Sequence, residues 1–97
     1  MELLDDATID RALADLDGWR REGDALRRDL RMPSFMAAIG LIDRIAVVAE
    51  DADHHPEITN VYWNVGLRLT THDAGGITDR DVALARAIDA VVADDGR

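Results

Sequence analysis

A chain of 97 residues, 47% hydrophobic and 32% charged, has the size and balance of one compact domain over residues 1–97 and excludes a wholly disordered chain. Twenty acidic against eleven basic residues leave a formal charge of −9, which repels phosphate backbones and anionic lipid, so neither nucleic acid nor a membrane surface is an expected partner. The absence of cysteine removes disulfides, thiol catalysis and thiolate metal sites.

The first six residues, Met1 to Asp6, lack the basic start and apolar run of a signal peptide, and no stretch reaches the roughly 18–20 apolar residues of a membrane span, so a cytoplasmic setting is expected. Residues 6–16 place Ile9, Leu13 and Leu16 at helical spacing behind Asp5, Asp6 and Thr8, acceptors suited to a helix start. Next, Gly18–Arg21 and Ala25–Met32 flank Glu22-Gly23-Asp24. Leu26, Arg28, Leu30 and Met32 alternate there with Arg27, Asp29 and Arg31, the pattern of a hairpin with one wetter face.

Pro33 sits where a first helical residue would, ahead of a long segment from Ser34 to about Asp51. Phe35, Met36, Ile39, Ile42, Ile45, Ala46 and Ala49 form its helical stripe, and Ala38, Leu41, Val47 and Val48 widen it beyond what one sheet face covers. A second partner, such as another copy of the chain, is expected on the surplus. Ile58–Trp63 and Val65–Thr71 read as two more strands with a tight link near Asn64; Val65, Leu67, Leu69 and Thr71 share one face. Asp73-Ala-Gly-Gly is a loop. Thr78 and Asp81 have capping-box spacing before a final helix carrying Val82, Ala85, Ile88 and Val92, and Asp94–Arg97 is expected to fray. The order α-β-β-α-β-β-α predicts an α+β domain, a four-stranded antiparallel sheet with helices packed on one face.

The three histidines all fall at element ends: His54 and His55 adjoin the exit of the long helix, and His72 follows a strand. Imidazole is the side chain best suited to give and take a proton near neutrality, so these are the candidate acid–base groups. The competing reading is a polar helix exit, in which histidine suits the C-terminal dipole and Pro56 stops the helix. Three histidines with Asp53 or Asp81 also amount to a conceivable zinc set, but adjacent histidines point apart and no His-x-x-x-His spacing is present. Serine catalysis fails on position, since the only serine, Ser34, stands at the opposite end of the long helix from His54.

Glu50, three residues, His54-His55-Pro56, five residues, Tyr62, nine residues, His72, eight residues and Asp81 together resemble the signature of the pterin carbinolamine dehydratases. Gly18-Trp19, the Phe35–Ala49 helix and Thr70–Thr78 extend the likeness over roughly residues 13–92. The resemblance implies the α-β-β-α-β-β-α fold and subunits that pair their sheets and associate through the long helix into a homodimer or homotetramer. It also implies dehydration of a 4a-hydroxytetrahydropterin to the quinonoid dihydropterin with neither metal nor organic cofactor. Some members of that family serve instead as a dimerisation partner of a transcription factor or as an assembly factor, so a protein partner is the alternative expectation.

Carried over by position, His54 and His72 become the acid–base pair, and His55 hydrogen-bonds the hydroxyl or the pterin and shares the proton work. Glu50, one helical turn before His54, is expected to orient that imidazole; Asp81 is expected to anchor the pterin or orient His72 while also capping a helix. Asp53 joins these two as an orienting candidate, though its position reads more simply as a helix-end carboxylate. Tyr62 and Trp63 alternate on a strand, so at most one of them is expected to face the pocket. The chain departs from the family's habit at Leu30 and Met32, where relatives often carry aromatics, and at Ile58 on one wall of the expected pocket.

Overall fold

The computed structural model describes residues 2–95. In chain order the elements are α1 (Asp6–Ala14), β1 (Trp19–Glu22), β2 (Ala25–Arg31), α2 (Phe35–Asp51), β3 (Glu57–Val61), β4 (Asn64–Leu69) and α3 (Asp79–Asp95). The strands make one open antiparallel sheet in the order β1-β2-β4-β3, so the expected α+β architecture is observed.

Local chemistry sets the helix starts. Asp5 accepts a hydrogen bond from the Thr8 amide at 2.8 Å, and Ser34 accepts one from the Ala37 amide at 3.0 Å. Pro33 therefore stands just before the cap of α2 and not at its first helical position. Register then sorts the sheet into two faces, because Leu26, Arg28 and Leu30 pair with Leu69, Leu67 and Val65, and Ile58 pairs with Leu67. Leu26, Val65, Leu67 and Leu69 share one core cluster with Ile9 of α1, Leu41 and Ile45 of α2, and Leu84 and Ile88 of α3. Arg28 is tolerated on this face because its guanidinium reaches Asp89 at 2.5 Å, an acceptor that Trp19 Nε1 also uses at 2.7 Å.

The other face is a lattice of charge, with Arg68 on Glu57 at 2.6 Å and Arg27 on Asp29 at 2.9 Å. Gly66 lies beneath it. A Cβ there would come within 2.5 Å of Thr59 Oγ1 and 2.9 Å of Arg27 Nη2, so the polar side chains cross the space that a side chain at 66 would fill.

Three further expectations need correction. The buried stripe of α2 is Ala38, Leu41, Ile45 and Ala49, which α3 and β4 cover; Phe35, Met36 and Ala46, assigned to the stripe from spacing, are exposed. Tyr62 and Trp63 do not continue a strand. They are the two-residue turn of the β3–β4 hairpin, with Tyr62 at φ 54° and Asn60 Nδ2 donating to the carbonyls of Tyr62 and Asn64. Both rings are exposed. Finally, α3 runs through Asp95, into the tail expected to fray; the rest of that tail, Gly96 and Arg97, lies outside the described residues.

Candidate active site

The site begins at the way α2 stops. Ala52 closes the helix, and Asp53 turns into the left-handed region at φ 49°. The Asp53 amide bonds back to the Glu50 carbonyl at 3.0 Å and the His54 amide to the Ala49 carbonyl at 3.1 Å. This crossed pair of bonds is the Schellman ending, which normally places glycine where Asp53 stands; a non-glycine residue there costs about 1 kcal/mol, least for Asp and Asn. The reversal folds the side chain of His54 inward, leaving it 9% exposed, while His55 points to solvent.

The start of α3 supplies the partner. Thr78 caps the helix by accepting from the Arg80 amide at 3.2 Å, and Asp81 reaches back to the Thr78 amide at 2.9 Å, the reciprocal capping box that the sequence indicated. Asp81 is fully buried, and its second oxygen lies 2.6 Å from His54 Nε2. The oxygen that takes the Thr78 amide also accepts from Thr71 Oγ1 at 2.9 Å, and the Thr71 and Thr78 hydroxyls are 2.8 Å apart.

With Asp81 accepting only, the network closes when Thr78 Oγ donates to Thr71 Oγ, Thr71 Oγ donates to Asp81, and a neutral His54 donates from Nε2. That tautomer leaves Nδ1 of His54 as the nitrogen able to accept a proton. His55 pairs separately, its Nε2 lying 2.5 Å from Glu50 Oε1 in a contact that is largely exposed.

The sequence-based pairing is thus exchanged. Glu50 orients His55 and not His54, because the helix ends at Asp51 and the one-turn spacing from Glu50 to His54 no longer applies. Asp81 orients His54 and not His72. Asp81 thus caps α3 and pairs with His54 at once, in place of the expected pairing with His72.

His72 sits in a tight loop closed by the Thr71–Gly76 bridge and turned at Gly75, whose φ of 80° requires a residue without a Cβ penalty. Its imidazole is exposed, with no hydrogen bond among the described residues. A cleft of about 270 Å³ brings His54, His55 and His72 together with Asp53, Asp73 and Arg80. Among the described residues, no group of three or more His, Asp or Glu side chains is placed to hold a metal ion.

Two contributors went unassigned from sequence alone. Thr71 shares the face of Val65, Leu67 and Leu69, and a buried hydroxyl among such residues demands a partner, which is the signal the sequence carries. Arg80, inside the capping box, donates through Nη2 to the Asp53 carbonyl.

This arrangement, an imidazole locked by a buried carboxylate beside two more imidazoles in one open cleft, is suited to proton transfer on a small polar ligand. Comparison with known proteins points the same way. The family model described as pterin 4 alpha carbinolamine dehydratase matches residues 2–91. A provisionally named pterin-4-alpha-carbinolamine dehydratase of Thermomicrobium roseum is 52% identical over 91% of this chain and 95% of its own. One from Mycobacterium avium is 48% identical over 95% and 98%. A crystal structure named transcriptional coactivator/pterin dehydratase from Brucella melitensis superposes with a TM-score of 0.88 at 35% identity, covering 92% of this chain and 97% of that one. A pterin dehydratase-like RuBisCO assembly factor of the alpha-carboxysome shares the fold, with a TM-score of 0.65 at 23% identity over 76% and 88% of the two chains. The chain belongs to the pterin 4 alpha carbinolamine dehydratase family.

Proposed function

We propose that this protein removes water from a 4a-hydroxytetrahydropterin to give the quinonoid dihydropterin, in support of pterin recycling. The observation that carries the reading is a single cleft lined by His54, His55 and His72 in a chain of this family. In the proposed step, Nδ1 of His54 takes the proton from N5 of the pterin, and its electron pair forms the C4a=N5 bond. The C4a–O bond breaks as protonated His72 passes its proton to the departing hydroxyl, which leaves as water. Asp81 stabilises the imidazolium formed at His54, as an ionised carboxylate beside a catalytic histidine does. His55 hydrogen-bonds the hydroxyl, held by Glu50, and Asp53 contributes a carboxylate to the pterin side of the cleft. Bulk water then returns the proton from His54 to His72.

Acid–base catalysis of this kind is worth on the order of 10² to 10⁴ in rate. Stopped-flow conversion of freshly made carbinolamine is expected to accelerate with the protein and to lose that acceleration in His54→Ala and His72→Ala; no acceleration by the unaltered chain overturns the reading. The proposal includes the cytoplasmic setting and the cofactor-free chemistry expected from the sequence.

A second reading rests on the outer surface of α2, where Phe35 is 52%, Met36 75% and Val47 60% exposed. Apolar groups this open call for cover, and we propose self-association into a dimer or tetramer through α2 and a sheet edge. Light scattering that finds only a 10.7 kDa particle at micromolar concentration overturns it. A purely non-enzymatic interaction role predicts capture of a protein partner that survives His54→Ala and is lost in Val47→Glu.

A further inference from the structure

We infer that Arg80 is a positioning residue of the histidine site, a latch that holds the Asp53–His55 turn in its left-handed form. The histidine pair depends on one unusual backbone geometry. Asp53 stands at φ 49° where the helix ending favours glycine, and the residues that follow it owe their opposite directions to that turn. An aspartate holds such a conformation at a modest cost, which restraints from neighbouring groups offset. The amide bonds of Asp53 and His54 into the last turn of α2 supply one restraint. Arg80 supplies another from a different element, because its guanidinium donates to the carbonyl of the strained residue itself.

The position of Arg80 in the chain gives that contact leverage. Its amide is fixed to the Thr78 hydroxyl, and the next residue, Asp81, holds the imidazole of His54. The first turn of α3 therefore grips the segment at two adjacent points, the backbone at Asp53 and the ring at His54. Loss of the guanidinium leaves the ring tethered and its backbone free to open, which allows the two histidines to lose their divergence. Arg80 also lines the cleft, so the latch sits at the edge of the space a ligand would occupy.

The test uses Arg80→Met, which keeps most of the stem and removes the donors, and Arg80→Lys, which keeps a charged donor. Amide hydrogen exchange of the full chain is the primary readout. Arg80→Met is expected to speed exchange at Asp53 and His54 about tenfold while Leu41 and Ile45, buried in mid-α2, keep their wild-type rates. Arg80→Lys recovers most of the protection, and so does Asp53→Gly introduced into the Arg80→Met background, because glycine adopts a positive φ without a latch. Exchange at His54 within twofold of wild type in Arg80→Met overturns the inference, and so does acceleration spread evenly over α2.

A kinetic arm rests on the dehydratase reading. There kcat is expected to fall about tenfold in Arg80→Met with KM changed less than threefold, and to return in Arg80→Lys. An unaltered chain without dehydratase activity defeats that reading alone, since the exchange measurement decides the latch by itself.

Discussion

Two histidine–carboxylate pairs are built on adjacent histidines and have opposite characters. His54 with Asp81 is 9% and 0% exposed at the side chain and joins two elements 27 positions apart; His55 with Glu50 is 61% and 75% exposed and belongs to one helix end. The buried carboxylate is enclosed by the Thr71 hydroxyl and the Thr78 amide, so its geometry is part of the fold. The exposed one has water as a ready substitute for its partner. The same contact distance therefore means a fixed structural element in one case and an adjustable surface pair in the other.

Substitution of the buried carboxylate is expected to have the largest effect. Asp81→Asn keeps the shape but cannot accept from all three donors, so it is expected to cost about 2–4 kcal/mol in denaturant unfolding. It is also expected to lower dehydration by on the order of 10²-fold by releasing the tautomer of His54. If Asp81→Asn unfolds like wild type, the buried pair is no part of the fold's stability and the contrast collapses. Thr71→Val removes a single donor from the same carboxylate and is expected to cost about 1 kcal/mol with the tertiary fold intact. Glu50→Gln sharpens the other side: stability is expected to stay within about 0.5 kcal/mol of wild type and any loss of rate to stay within tenfold. A Glu50→Gln cost equal to that of Asp81→Asn would erase the distinction.

The smallest effect is a pH dependence on the open face of the sheet. Arg27, joined by Arg20, holds the Asp29 carboxyl below its usual value of 3.8. A folded-state value lower than the unfolded one gives stability that is complete above pH 3.8 and is lost as pH falls through the lowered folded value. Asp29 is about half exposed, so Asp29→Asn is expected to lower stability at pH 7 by a few tenths of a kcal/mol and to leave it unchanged below the lowered folded value, which flattens the acid side of the stability curve.

The fold was legible because its signals are local and periodic. Alternation along β2 and β4 set the buried face, and Thr78-x-x-Asp81 announced the start of α3. The three histidines were legible as a set because all stood at element ends. Their partners were not, and the reason is one residue: spacing rules assume a continuing helix, whereas Asp53 reverses the chain and turns His54 away from Glu50 toward an element far along the sequence. The Tyr62-Trp63 turn was hidden for a similar reason. It lacks glycine, and the side chain of Asn60 supplies the hydrogen bonds that stabilise it.

The 17 residues of α2 separate the two exposed specialities of the molecule by roughly 25 Å. Phe35 and Met36 open the helix at one end, and the turn that carries the histidines closes it at the other. On the readings proposed above, a partner confined to Phe35 and Met36 leaves the histidine end open, whereas one that also covers Val47 sits within a helical turn of it.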